Sequence, residues 1–265
     1  VGKAGDLERS AEWYSSGESL SQGWLDIDDR LLEYMFRTFS PWLSGDSCLE
    51  FGTADGDSTR HLLERFARVV AVEGAERFVD IVRERFASEV EAGKLVVAHA
   101  LFEEFTTAER FDVLLATHVL EHLDDPVAFL RTSTTFLEEE GYFLILVPNA
   151  GSIHRLAAAK MRLLEEPNSL SPQDVSLGHQ RVYSWDELER DLLAADLEIV
   201  ARGGLFLKPL TNQQISESWT PAMIDAFYEL GRDLPELAAE IYAVCRRSGE
   251  RSRVDATITD TRSEG

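Results

Sequence analysis

Between Ser47 and Val147, five short apolar runs alternate with amphipathic stretches, and no other feature of the chain restricts its fold as much. The runs are Ser47–Phe51, Arg68–Val72, Leu95–Ala98, Phe111–Ala116 and Tyr142–Val147. Their near-continuous apolar character suits strands covered on both faces. Strands that alternate with helical stretches form βαβ units and a parallel sheet. The intervening helices are read over Asp57–Phe66, with Asp57 as N-cap, over Glu76–Val90, and from Pro126 to Leu137. In the last, Asp125 precedes a proline that wastes no hydrogen bond at the first helical position.

The flanks are organised differently. Leu31–Phe39 reads as a helix carrying Tyr34, Phe36 and Phe39. Beyond the fifth run come a helix over Ser152–Glu165, a polar loop, a helix over Asp186–Ala195 and a strand over Leu197–Ala201. A second interruption, Asn212–Gly231, includes a helix capped by Thr220, and a final strand spans Ala239–Cys245. The expected division is an N-terminal helical cap over 1–45, a core domain over 46–248 with insertions near 151–183 and 211–235, and a disordered tail over 249–265. Both insertions come late, where they can roof a pocket at the strand ends.

Charge narrows the partners. The chain carries 48 acidic against 26 basic residues, a formal charge of -22. Such a surface repels phosphate backbones and anionic lipid, so neither nucleic acid nor membrane is expected as partner. A local basic pocket remains compatible with an anionic ligand. Cys48 and Cys245 lie in apolar runs and read as half-buried core residues, not as a disulfide or a zinc site. No apolar run reaches the roughly 20 residues of a membrane span, and no leader-like segment is read at the start. The expectation is a cytoplasmic protein, with a homodimer compatible.

The densest motif is CLEFGTADGDST at Cys48–Thr59. An apolar strand ends in Glu50 and Phe51, and Gly52-Thr53-Ala54-Asp55-Gly56 turns tightly into a helix. Glycine serves where backbone approaches a ligand or takes positive φ. The carboxyl end of a first strand is also where open α/β sheets bind ligands. The spacing is not the G-x-G-x-x-G of dinucleotide sites. Glu73-Gly74 closes the second run about 20 residues on, where a carboxylate accepts hydrogen bonds from both ribose hydroxyls.

These residues resemble the first motif of class I S-adenosylmethionine-dependent methyltransferases, commonly written E/D-x-G-x-G-x-G. Glu73 matches that family's ribose-binding acid. THVLEHLDDP at Thr117–Pro126 and GYFLILVPNA at Gly141–Ala150 are similar to segments of its ubiquinone-biosynthesis-like, small-molecule branch. The resemblance implies a Rossmann-like α/β fold. Its mostly parallel sheet has seven strands, the last antiparallel, flanked by helices, with helical cap insertions. It implies S-adenosylmethionine as cofactor, S-adenosylhomocysteine as product, and methyl transfer to an oxygen or nitrogen of a small molecule by in-line displacement. Cofactor contacts are assigned to Glu50, Gly52, Thr53, Ala54, Gly56, Ser58, Glu73, Gly74, Phe102, Glu103, Thr117 and His118. Two departures stand out. Ala54 replaces the middle glycine, and the segment after the third run offers Phe102 and Glu103 where many relatives carry an Asp for the adenine amino group.

A base helps methyl transfer but is not obligatory. His118 follows the fourth run and His179 closes the first insertion; both are read as catalytic. In Gly178–Tyr183, His179, Arg181 and Tyr183 alternate, so an extended backbone would present all three to a substrate, with Asn149 and His154 as further contacts. Glu121 and His122 read as structural, and no metal site is assigned. Asp124 and Asp125 read as helix-start residues. Trp13, Tyr14 and Trp24 are read as a hydrophobic lid or as ordinary packing. Two alternatives stay open: a non-catalytic S-adenosylmethionine-binding protein, and an NAD(P)-dependent oxidoreductase.

Overall fold

The structure is a computed structural model that describes residues 27–248. Strands β1 (Ser47–Phe51), β2 (Arg68–Glu73), β3 (Leu95–His99), β4 (Phe111–Thr117), β5 (Leu137–Pro148), β6 (Leu197–Leu205) and β7 (Glu240–Arg247) form one sheet in the order β3-β2-β1-β4-β5-β7-β6. All pairings from β3 to β5 are parallel, while β7 runs antiparallel to both β5 and β6. This is the Rossmann-like arrangement that the resemblance implies.

Alternation along each strand builds two cores. Cys48, Val69, Ala71, Val113, Leu115, Leu144, Leu146 and Val244 face one side. Their neighbours Leu49, Phe51, Val70, Val72, Leu114, Ala116, Phe143, Ile145 and Ala243 face the other. The first side is covered by helices α1 (Ile27–Phe39), α2 (Asp57–Leu63) and α3 (Glu76–Arg85), the last followed by the short α4 (Ala87–Glu91). The second is covered by α5 (Pro126–Thr134) and, beyond the first insertion, by α8 (Trp185–Ala194). The insertion after β5 contains α6 (Ile153–Lys160) and α7 (Pro172–Ser176), and α9 (Asn212–Ser218) and α10 (Pro221–Asp233) lie between β6 and β7. No helix among the described residues is long and apolar enough to cross a membrane.

Several boundaries differ from expectation for identifiable reasons. Gly56, at φ +92°, caps α2 in place of Asp57, which falls in the first turn. The helix read to Val90 breaks at Phe86, whose buried ring packs under the glycine turn: a Cβ on Gly56 would stand 2.8 Å from it. Helix α5 stops at Thr134 and β5 begins at Leu137, because its exposed Glu138–Glu140 segment hides a strand behind polar residues. Helix α6 ends at Lys160, before Arg162 turns to φ +61°. Strand β6 continues to Leu205, its register with β7 ending at Leu205↔Glu240. Cys48 and Cys245 are fully buried rather than half-buried. Asp125 does cap α5, accepting from the Ala128 amide at 2.9 Å, and Thr220 caps α10. Trp13, Tyr14, Trp24, most of the N-terminal cap and the tail lie outside the described residues.

Candidate functional site

The topology brings the ends of β1, β2, β4, β5 and β6 to one edge of the sheet, and because β7 is antiparallel its first residue, Glu240, arrives there too. This edge is where open α/β sheets hold ligands. It divides into a half built on β2, β1 and β4 and a half built on β4, β5, β7 and β6.

The first half is made of backbone. The Gly52 amide donates to the Val72 carbonyl at 2.9 Å and the Gly56 amide to the Thr53 carbonyl at 2.9 Å, which folds the turn across the strand ends. Gly52 and Gly56 have φ of +82° and +92°, and Ala54, in the middle-glycine place, is also left-handed at +45°. An L-residue there is strained by roughly 1–2 kcal/mol. Glu73 is buried: Oε2 accepts from the Thr53 amide at 2.9 Å and hydroxyl at 3.2 Å, and Oε1 from the Ala75 amide at 2.9 Å. A carboxylate offers about four lone-pair sites and these bonds take three, so Oε1 retains capacity for a ribose hydroxyl.

Glu50 is buried at the end of β1, with Oε2 accepting from the Thr59 hydroxyl at 2.6 Å and Oε1 without a hydrogen-bond partner among the described residues. Burial pushes its carboxyl up to about 7, with the Thr59 bond opposing. Ser58 sits beside it in the first turn of α2. Gly74 follows Glu73 and offers its carbonyl 3.2 Å from His99 Nε2. Phe102 comes within 3.6 Å of where a Gly52 Cβ would be, its ring edge-on to Phe51, and Glu103 follows it in the exposed loop. Thr117 closes β4. A backbone-lined turn, a carboxylate beyond it and an unsatisfied acidic oxygen below it fit a ligand with ribose hydroxyls and an ammonium group.

The second half is made of side chains. His118, left-handed at φ +55°, places Nδ1 3.2 Å from Glu121 Oε1 and Nε2 3.3 Å from Glu240 Oε1. Desolvation in the crevice lowers its pKa, but the Glu240 and Glu121 carboxylates outweigh it and push the imidazole up to about 10. His118 is therefore an imidazolium at neutral pH, with a carboxylate at each nitrogen. Glu121 is fully buried; burial raises its pKa, yet His118, His122 and His179 hold it below the usual range, and its Oε2 has no hydrogen-bond partner among the described residues.

His179 stands against His122, ring centroids 4.8 Å apart, and its Nδ1 lies 3.2 Å from Asp174 Oδ1. The other Asp174 oxygen takes the Arg155 guanidinium at 3.0 Å and the Ser171 amide and hydroxyl at 2.7 Å each. Desolvation raises the Asp174 carboxyl, but bonds from His179, Ser171 and Arg155 hold it far below its ordinary value. Desolvation also lowers His122, keeping that ring neutral. Glu121, His122 and His179 each bring a ligand atom within 4.8 Å of the others, a carboxylate-and-imidazole set of the kind divalent transition metals use.

The alternating residues do not share one face. His179 turns onto Asp174. Tyr183 is buried in the core, bridges Asn149 through the backbone and donates to Asp191 at 3.2 Å. Arg181 lines a separate cleft with Tyr183, Asp124 and Asp191, since only Tyr183 in this stretch pairs as a strand would. Asn149 is committed to the fold: Nδ2 donates to the Glu236 and Ala238 carbonyls, and Oδ1 accepts from the Gly151 amide at 2.8 Å. His154, on α6, is held neutral, its pKa pushed down to about 4 by burial and then by Lys208 and Arg155.

Sequence reading missed Glu240, Lys208 and Asp174. Glu240 had a signal: an antiparallel last strand must begin where the parallel ones end. Asp174 had the capping spacing of Ser171-x-x-Asp174. Lys208, three residues past β6, had none.

Comparison with known proteins agrees with this geometry. The family described as a methyltransferase domain matches residues 25–202. A ubiquinone biosynthesis O-methyltransferase of Sinorhizobium medicae is 29% identical over 194 residues, 71% of this chain and 75% of the relative. In structure the chain resembles a possible histamine N-methyltransferase of Thermotoga maritima, with a TM-score of 0.62 at 16% identity, over 92% of this chain and 98% of that one. It also resembles the N-methyltransferase NodS of Bradyrhizobium japonicum, solved with S-adenosylhomocysteine, at 0.58 and 14% over 92% and 100%. A matched domain covering most of the core, and an edge whose turn and carboxylate suit the same cofactor, lead to one assignment: the chain belongs to the methyltransferase-domain family and is an S-adenosylmethionine-dependent methyltransferase.

Proposed function

We propose that the enzyme methylates a hydroxyl of a small molecule bound over β4, β5 and β7. The observation that carries this is the His–carboxylate cluster at that half of the edge, adjoining the cofactor turn through Thr117 and His118. The name of the Sinorhizobium relative supports oxygen as the methylated atom, and the charge of -22 argues against a nucleic-acid substrate. When bound, S-adenosylmethionine supplies an electrophilic methyl group: the C–S bond breaks with its electron pair staying on sulfur, and the O–C bond forms.

The chain's own part is to align the hydroxyl and take its proton. His118 does not begin as the base, because it already holds a proton between Glu121 and Glu240. It acts as a fixed positive post that orients both carboxylates. His179 is the base: Asp174 at Nδ1 fixes the ring and leaves Nε2 as the acceptor. Thr53, Ala54, Gly74, Phe102 and Glu103 are assigned to the cofactor, and Arg181 and Tyr183 act by closing the loop that carries His179. The test is methyl transfer from labelled S-adenosylmethionine to a panel of hydroxylated small molecules. Activity lost in His179→Ala but retained in part in His118→Asn supports the assignment; equal activity in both variants and wild type contradicts it.

One observation favours a second reading, metal-assisted transfer: the Glu121–His122–His179 donor set. Titration with magnesium, manganese and zinc separates the two, since a base needs no metal and a metal-assisted enzyme loses activity to a chelator.

A further inference from the structure

The acceptor half of the edge contains a lysine that the scheme above does not use. Lys208 follows β6, close enough to Glu240 and Asp28 to feel their charge. It is only partly exposed, and among the described residues its Nζ makes one hydrogen bond, to Asn212 Oδ1 at 3.1 Å. Among the described residues no carboxylate oxygen lies within the 4.0 Å of an ion pair with it. The two nearby carboxylates are engaged elsewhere: Glu240 Oε1 on His118 Nε2 at 3.3 Å, and Asp28 Oδ1 on the Asn212 amide at 2.7 Å. An ammonium has three donors, and Asn212 takes one.

Beside Lys208 stands His154, whose ring interacts with the Lys208 backbone and whose Nδ1 is buried with no hydrogen-bond partner among the described residues. Arg155, the next cation, is paired with Asp174 and donates to the Pro167 and Ser169 carbonyls as well, so each of its three nitrogens is engaged. Desolvation lowers the Lys208 pKa, and the Glu240 and Asp28 charges only partly restore it. A desolvated ammonium with spare donors is costly unless an anion reaches it.

We infer that Lys208 is the specificity residue of the acceptor site, and that the substrate carries an anionic group, a carboxylate, which the ammonium receives while its hydroxyl lies toward His179 and the methyl donor. A strongly acidic protein repels anions generally, so an ammonium with spare donors at this edge confers selectivity that the surface does not. Lysine recognises such a group as a point charge, and arginine in its place keeps the charge. The inference rests on the acceptor-site reading above.

The experiment compares matched ligands. The enzyme is loaded with S-adenosylhomocysteine, and binding of 4-hydroxybenzoate, 4-hydroxycinnamate and salicylate is measured by calorimetry against their methyl esters, which keep the shape and remove the charge. At least one acid should bind tenfold or more tightly than its ester. Lys208→Met should abolish that preference, and Lys208→Arg should retain it, with S-adenosylhomocysteine affinity unchanged and no loss of thermal stability in either. Esters binding as well as acids, an acid preference that survives Lys208→Met, or no binding by any acid overturns the inference. Failure to bind S-adenosylhomocysteine would instead strike the cofactor reading on which it stands.

Discussion

The two halves of the sheet edge are built by opposite means. Over β2, β1 and β4 the site is a turn of backbone backed by the Glu50 and Glu73 carboxyls, and the turn and both carboxyls lie within about 25 residues of one another. Over β4, β5, β7 and β6 it is a set of side chains: His118, Glu121, His122, Asp174, His179, Lys208 and Glu240. That set spans more than 120 residues of chain, and Glu240 joins it because β7 reverses direction. The difference follows from what each half must recognise. A cofactor of fixed chemistry is held by a local turn that glycine permits. An acceptor is distinguished by the charge and shape of groups that insertions deliver.

The largest expected effect falls on the cofactor half. Glu73→Ala removes the proposed ribose acceptor and frees Thr53 and Ala75, and should weaken S-adenosylhomocysteine binding by about 3 kcal/mol, more than a hundredfold, by calorimetry. Loss of transfer with affinity intact would place the ribose elsewhere. On the acceptor half, Asp174→Ala strands the Arg155 charge and releases His179. Unfolding in denaturant should show a loss of about 3 kcal/mol, while the intact turn keeps its cofactor. A parallel collapse of cofactor affinity would mean that the halves are not separable.

Glu50 offers a pH test. Its folded pKa, about 7, lies above its unfolded value, so unfolding releases a proton and the buried carboxyl costs stability increasingly as pH rises from about 4.5 to 7. Glu50→Gln should therefore stabilise the ligand-free protein by up to about 3 kcal/mol at pH 8 and by little at pH 4. On the proposed assignment of Glu50 to the cofactor ammonium, the same variant should bind S-adenosylhomocysteine less well, because the carboxyl can no longer ionise. A pH-independent effect in thermal unfolding would contradict this. The smallest effect belongs to Ala54→Gly, which relieves a left-handed alanine. It should be neutral or stabilising by about 1 kcal/mol at most, since the added chain entropy offsets part of the gain. Destabilisation would show that the Ala54 methyl packs against something.

The same contrast explains what could be read from sequence. Ser47–Phe51 and the turn to Gly56 were legible to the residue, because a continuous apolar run meeting glycines is a local pattern. The antiparallel seventh strand was legible through resemblance to a family. His118 was placed correctly on the edge but not its charge, which depends on Glu240, 122 positions away. Periodicity put His179, Arg181 and Tyr183 on one face; one backbone bridge at Tyr183 was too little to enforce an extended strand, and burial of the tyrosine ring drew it into the core. Lys208 needed the Phe206–Pro209 loop to be placed in space before it could be noticed.

The division of the edge is tested most directly by calorimetric titration of wild type and His179→Ala with S-adenosylhomocysteine, with NAD as control. One-site binding of S-adenosylhomocysteine with the same affinity in both proteins, and none of NAD, is the predicted result. A preference for NAD, or an affinity that falls with His179, would contradict the account.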